Sequence, residues 1–117
     1  MEITTKSGRV LNLDFAHYGE RRELNATEQE KVIAEFVKAL APSSEVVRKS
    51  DAYLTVEFEE SDVCRFKFTD KAKWLMFPIM EAKQKKHYIE SLDDIEQFED
   101  IIEESYQTII KWHENRK

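Results

Sequence analysis

Between Ala52 and Ile79 apolar residues recur with a period of two, and three runs, "AYLTVEFE", "VCRFKFT" and "WLMFPI", are rich in aromatic and β-branched residues. Alternation of this kind predicts strands with one buried face. If Leu54, Val56 and Phe58 face the core, a three-residue turn at Glu60-Ser61-Asp62 sets them opposite Phe68, Phe66 and Cys64. A second turn around Lys71-Ala72 then sets those three opposite Leu75, Phe77 and Ile79. One face of a three-stranded meander thus collects these nine apolar side chains, and a one-residue slip in any strand would expose its set. Each large side chain buried there contributes about 1.5 to 3 kcal/mol, more than any surface charge pair. "KKHYIES" adds a short edge strand.

Elsewhere the period lengthens. "TEQE" gives Thr27 and Glu30 the spacing of a capping box, and Val32, Ile33, Phe36, Val37 and Leu40 follow at helical steps, so the spacing predicts a helix over 28–40 that Pro42 ends. Ser91 and Asp94 form a second box, followed by Leu92, Ile95, Phe98, Ile102, Tyr106, Ile109 and His113 at steps of three and four. Residues 92–114 read as one helix about 34 Å long, with acids at its start and bases at its end as the helix dipole favours. "EITTKSGRVLNLDF" reads as a hairpin turning at Ser7-Gly8, and "AHYGERREL" as a polar connection. The expected architecture is α+β: an antiparallel meander of about 4 to 6 strands, counting the N-terminal hairpin, with two helices in the order ββ-α-βββ(β)-α. With two glycines, two prolines and no repeat or linker to divide it, the chain reads as a single domain over 1–117.

Composition narrows the class. The 117 residues are 41% hydrophobic and 36% charged, too apolar for disorder and too charged for membrane insertion. No apolar run approaches the roughly 20 residues of a membrane span, and "MEITTKSGRV" has neither the basic flank nor the apolar stretch of a signal peptide. The lone cysteine, Cys64, has no partner for an internal disulfide; a cytoplasmic protein is expected. The net charge of −6 argues against a surface coated by nucleic acid. That average hides a division: Arg65, Lys67, Lys71, Lys73, Lys83, Lys85 and Lys86 crowd one segment, whereas 90–104 is acidic and has no Lys or Arg. Attraction within one fold explains the division; so does a basic binding face beside an acidic exterior.

"KAKWLMFPI" followed by "YIESLDDIEQFEDIIEESYQTII" resembles the end of small YjbR-like α+β modules, including those appended to some predicted modification-dependent endonucleases. There too a Lys-Trp-containing strand precedes a strand, an acidic helix start and a Ser-Tyr pair, here Ser105 and Tyr106. The resemblance spans about the last half of the chain. It implies a binding or accessory role and supplies no catalytic residue.

Catalytic constellations are sparse. Cys64 alternates onto the core face, where a thiol is inert. His17, His87 and His113 are scattered, without His-x-x-x-His or Cys-x-x-Cys spacing, and there is no Gly-rich phosphate loop, so neither a metal nor another cofactor is expected. Glu81-Ala82-Lys83 fits the Glu-x-Lys half of a metal-dependent nuclease site, with Asp70 or Asp62 as a second carboxylate. Such a triplet arises readily by chance in a chain this rich in Glu and Lys.

The remaining candidate is the other face of the meander, where the register sets Tyr53, Thr55 and Glu57 beside Thr69, Lys67 and Arg65, and these beside Trp74, Met76 and Pro78. Tyr53 and Trp74 flanking Arg65 and Lys67, with Met76, could stack exposed bases and track phosphates. Two features oppose this: Glu57 would pair with Arg65, and the first helix, laid on this face, would make it a second core layer. The expected function is a non-catalytic binding or accessory domain contacting a macromolecular partner, either a protein or a second copy. Single-stranded nucleic-acid binding is the alternative, a metal-dependent nuclease a more remote one.

Overall fold

The computed structural model describes residues 1–16, 18–82 and 85–115. Two short strands, β1 (Glu2–Thr4) and β2 (Val10–Asn12), form a hairpin that is a separate two-stranded sheet rather than part of the meander. Gly8 takes a φ of 88° in its turn, a conformation open to glycine at little cost. Two 3-10 turns (Tyr18–Glu20 and Arg22–Leu24) lead into α1 (Glu28–Leu40). Five strands follow, β3 (Glu45–Ser50), β4 (Tyr53–Phe58), β5 (Ser61–Phe68), β6 (Lys73–Met76) and β7 (Lys86–Tyr88), paired antiparallel in chain order. A 3-10 segment, Leu92–Phe98, then continues into α2 (Glu99–Asn115). The fold is α+β with the expected element order, completed by β3, an additional strand in a segment that the sequence pattern assigns to no element.

α1 begins where its capping box requires. Thr27 Oγ1 accepts the Glu30 N–H at 3.0 Å and the Glu30 carboxylate accepts the Thr27 N–H at 2.9 Å. The same two side chains hold the end of β5: Thr27 Oγ1 donates to the Phe68 carbonyl at 2.9 Å, and Glu30 accepts the Phe68 N–H at 3.1 Å. A local helix signal is therefore also a tertiary clamp.

Both helices lie on one face of the large sheet. Ile33, Phe36 and Val37 of α1 and Ile102 and Ile109 of α2 join Leu54, Val56, Cys64, Phe66, Leu75 and Phe77 in one buried cluster. Trp74 and Met76 are buried too, at 4% and 2% exposure, but stand outside that cluster on the opposite face. The first helix does not cover the face of Tyr53 and Trp74.

The faces are as the alternation predicts, but the register differs by two residues. Leu54 pairs with Phe66 and Val56 with Cys64, and Phe66 in turn pairs with Leu75. Two adjustments cause the β4–β5 shift. The β4–β5 turn is Glu59-Glu60, both at positive φ (48° and 69°), one residue shorter than expected. A bulge between Val56 and Glu57 then leaves Val63 as an extra residue on β5. The bulge carries Val63 into the core at 0% exposure, although alternation places it on the outer face. Its carbonyl accepts the Ser105 hydroxyl at 2.8 Å.

The C-terminal helix differs in its first turns. Leu92, Ile95 and Phe98 recur at steps of three, the repeat of a 3-10 helix, whereas Phe98, Ile102, Ser105 and Ile109 recur at α-helical steps. Phe98 thereby reaches Phe77, with ring centroids 5.7 Å apart, and His87, at 5.3 Å. No helix is long and apolar enough to cross a membrane among the described residues.

Candidate interaction surface

On the outer face the strand pairings align a row across the sheet: Val47, Thr55, Arg65, Met76 and Lys86. A second row sets Lys67 opposite Trp74 and Trp74 opposite Tyr88. All five residues singled out from the sequence, Tyr53, Arg65, Lys67, Trp74 and Met76, therefore share this face, as the alternation requires. Their neighbours differ from those expected. Thr55, not Glu57, opposes Arg65, and Glu57 opposes Asp62, because the shortened turn and the bulge shift the ladder.

The β3–β5 half is electrostatically closed. Lys49 Nζ lies 2.5 Å from Glu57 Oε2 and 2.8 Å from Asp62 Oδ1, while Arg65 Nη2 lies 2.8 Å from Asp62 Oδ2. The Arg65 guanidinium also covers the Tyr53 ring at 5.4 Å, and Tyr53 meets Trp74 edge to face at 5.9 Å. Arg65 is spent within the fold, as the sequence suggests, but on Asp62 rather than Glu57.

The β5–β7 half is different. Among the described residues no carboxylate lies within ion-pair distance of Lys67, Lys73 or Lys86. Lys86 Nζ sits 4.8 Å from the centre of the Trp74 ring, so Trp74 lies beneath a cation rather than open to solvent. Tyr88, the cross-strand neighbour of Trp74, is 72% exposed. The sequence marks Lys86 only as part of the basic segment and does not single out Tyr88; carrying the two-residue alternation through "KKHYIES" puts both on this face. Lys49 had no such signal, since "EVVRKS" has too few apolar positions to read as a strand.

The nuclease candidates lie on separate segments of the chain. Asp62 lies near the start of β5 and Asp70 in the turn after its end, so most of the strand's length separates them. Glu81 lies in the loop after β6, 2.5 Å from His87 Nε2 and 3.5 Å from Lys85 Nζ. The hydrogen bond to His87 holds its carboxyl below the usual glutamate range. Lys83 lies outside the described residues, as does His17. Among the described residues no group of three or more His, Cys, Asp or Glu side chains converges as a metal set.

Other candidate groups are engaged within the fold. Cys64 is fully buried, and burial pushes its thiol well above the ordinary value. His113 reaches Glu59 across 3.4 Å. The Tyr106 hydroxyl donates to the Pro42 carbonyl at 2.8 Å, so the Ser-Tyr pair fastens α2 to the rest of the fold. The acids of 93–100 line a shallow cleft of about 430 Å³ with Lys6.

Comparison with family models, with curated proteins and with solved structures finds no match to this chain.

Proposed function

We propose that the domain is a non-catalytic binding module that contacts an acidic protein partner through the β5–β7 half of its outer sheet face. One observation carries the reading: Lys67 and Lys86 flank Trp74 and the exposed Tyr88 without an acidic partner among the described residues, whereas the β3–β5 half of the same face neutralises its own charges. Unneutralised cations beside an exposed aromatic form a surface on which an acidic segment gains both charge complementarity and contact area. The resemblance to accessory modules agrees with this role, and a reducing, cytosolic setting agrees with a single buried thiol.

Single-stranded nucleic acid is the second reading, favoured by Tyr88 standing open beside Lys86. It is the weaker one because Trp74 is covered, leaving Tyr88 as the stacking platform, and because the net charge is −6. Fluorescence anisotropy at low salt with labelled poly-glutamate and with oligo-dT separates them. The protein-partner reading expects saturable poly-glutamate binding that Lys67→Glu and Lys86→Glu each weaken. Oligo-dT binding that is tighter than poly-glutamate binding and lost in Tyr88→Ala would replace it with the nucleic-acid reading.

A further inference from the structure

The two edges of the large sheet are finished differently. At β3, the Val46 carbonyl accepts from the Arg21 guanidinium at 3.2 Å, and the Arg48 guanidinium bonds the carbonyls of Leu24 and Asn25. The segment around the Arg22–Leu24 turn is thereby fastened along that edge. No comparable hydrogen-bonded cover lies on β7 among the described residues; its strand partner is β6, and its His87 packs on Phe98.

The phase of the ladder shows which groups this leaves free. The Ile89 N–H donates to the Lys73 carbonyl at 3.0 Å, which makes Lys73 and Ile89 a hydrogen-bonded pair. Bonded and non-bonded pairs alternate in an antiparallel ladder, so Leu75–His87 is the next bonded pair, and Trp74–Tyr88 and Met76–Lys86 are non-bonded. The backbone N–H and C=O groups of Lys86 and Tyr88 therefore point away from β6. Nothing among the described residues bonds them.

We infer that β7 is a strand-addition site that takes an extended, acidic segment of a protein partner as the sixth strand of the sheet. An unpaired edge is a template for a further strand, with main-chain bonds supplying affinity and alternate side chains supplying selectivity. The added residues on the outer face would lie beside Lys86 and Tyr88, both exposed. This charge selects an acidic segment. It disfavours a second copy of the chain, since pairing β7 with itself would bring two copies of Lys86 onto one face with no acid between them. The inference rests on the binding-module reading and adds the mode of capture.

The test titrates the full chain into a labelled peptide of alternating Glu and Val, long enough for a strand of about six residues. Two N-methylated versions, one for each alternation phase, keep the charge and side chains but remove one set of main-chain donors. Strand addition expects saturable binding that falls at least tenfold in one methylated version. Tyr88→Pro should lose as much, and more than Tyr88→Ala, because proline deletes an outward N–H and leaves the ladder to β6 in place. Binding that is weakened by Lys86→Glu yet indifferent to methylation and to Tyr88→Pro overturns strand addition while the charged-surface reading stands. Absence of saturable binding overturns both. Sedimentation showing a dimer that Tyr88→Pro abolishes would assign the edge to a second copy and overturn the acidic partner.

Discussion

Thr55 shows how the outer face is made dry without being made apolar. It lies in the middle row between Val47 and Arg65, is 0% exposed, and its Oγ1 has no hydrogen-bond partner among the described residues. The Lys49, Glu57, Asp62 and Arg65 side chains interlock on the same face, so the sheet surface beneath is shielded by charge pairs and their aliphatic stems rather than by a helix. A buried hydroxyl without a partner carries an uncompensated desolvation cost. Thr55→Val, nearly isosteric, is expected to raise stability by roughly 1 kcal/mol, read as a higher urea midpoint with an unchanged slope. A loss of stability instead would show that the hydroxyl is satisfied in solution and that water enters the face.

At the scale of elements, the strongest local signals are those that also make tertiary bonds. Replacing Glu30 with alanine removes half of the capping box and leaves the Phe68 N–H without its acceptor, so Glu30→Ala is expected to cost about 2 to 3 kcal/mol, the sum of a cap and an unsatisfied donor. Denaturant unfolding checks this, and a cost no greater than that of a cap alone would mean that Phe68 finds another acceptor. The same distinction explains what was legible in the sequence. "TEQE" and Pro42 bracket α1 at both ends because capping is a local matter. The faces of β4, β5 and β6 follow from alternation, which no two-residue shift disturbs. Register was not legible, because it depends on loop length, and the β4–β5 turn takes left-handed φ at two glutamates rather than at the Gly or Asn that signals such a turn. The bulge that carries Val63 inward has no sequence mark either. β3 was hidden by its edge position, where Arg48 and Lys49 serve ion pairs and edge cover instead of the core. The candidate face was legible as a set of residues, but its division into a neutralised half and an open half depended on Lys49, Asp62 and Lys86, which meet only once the strands are paired.

The whole molecule is graded from a doubly flanked centre to a singly flanked rim. β4 and β5 each have strands on both sides and α1 packed across them, and α2 packs on β5 as well, whereas β7 is three residues long and joined to the sheet through β6. Local opening should cost most at the centre and least at the rim, and a rim that opens cheaply pays little conformational penalty when it accepts a new strand. Amide exchange followed by NMR resolves both the gradient and the edge. The slowest amides are expected in β4 and β5. Within β7 the order should alternate, with His87 and Ile89, bonded toward β6, exchanging at least tenfold more slowly than Lys86 and Tyr88, whose N–H groups face outward. Equal protection of all four would mean that the edge is already covered in the free protein and would remove the basis for strand addition. An alternating pattern that becomes uniform when the acidic peptide is added would place the new hydrogen bonds on Lys86 and Tyr88 themselves, a distinction that affinity measurements alone do not make.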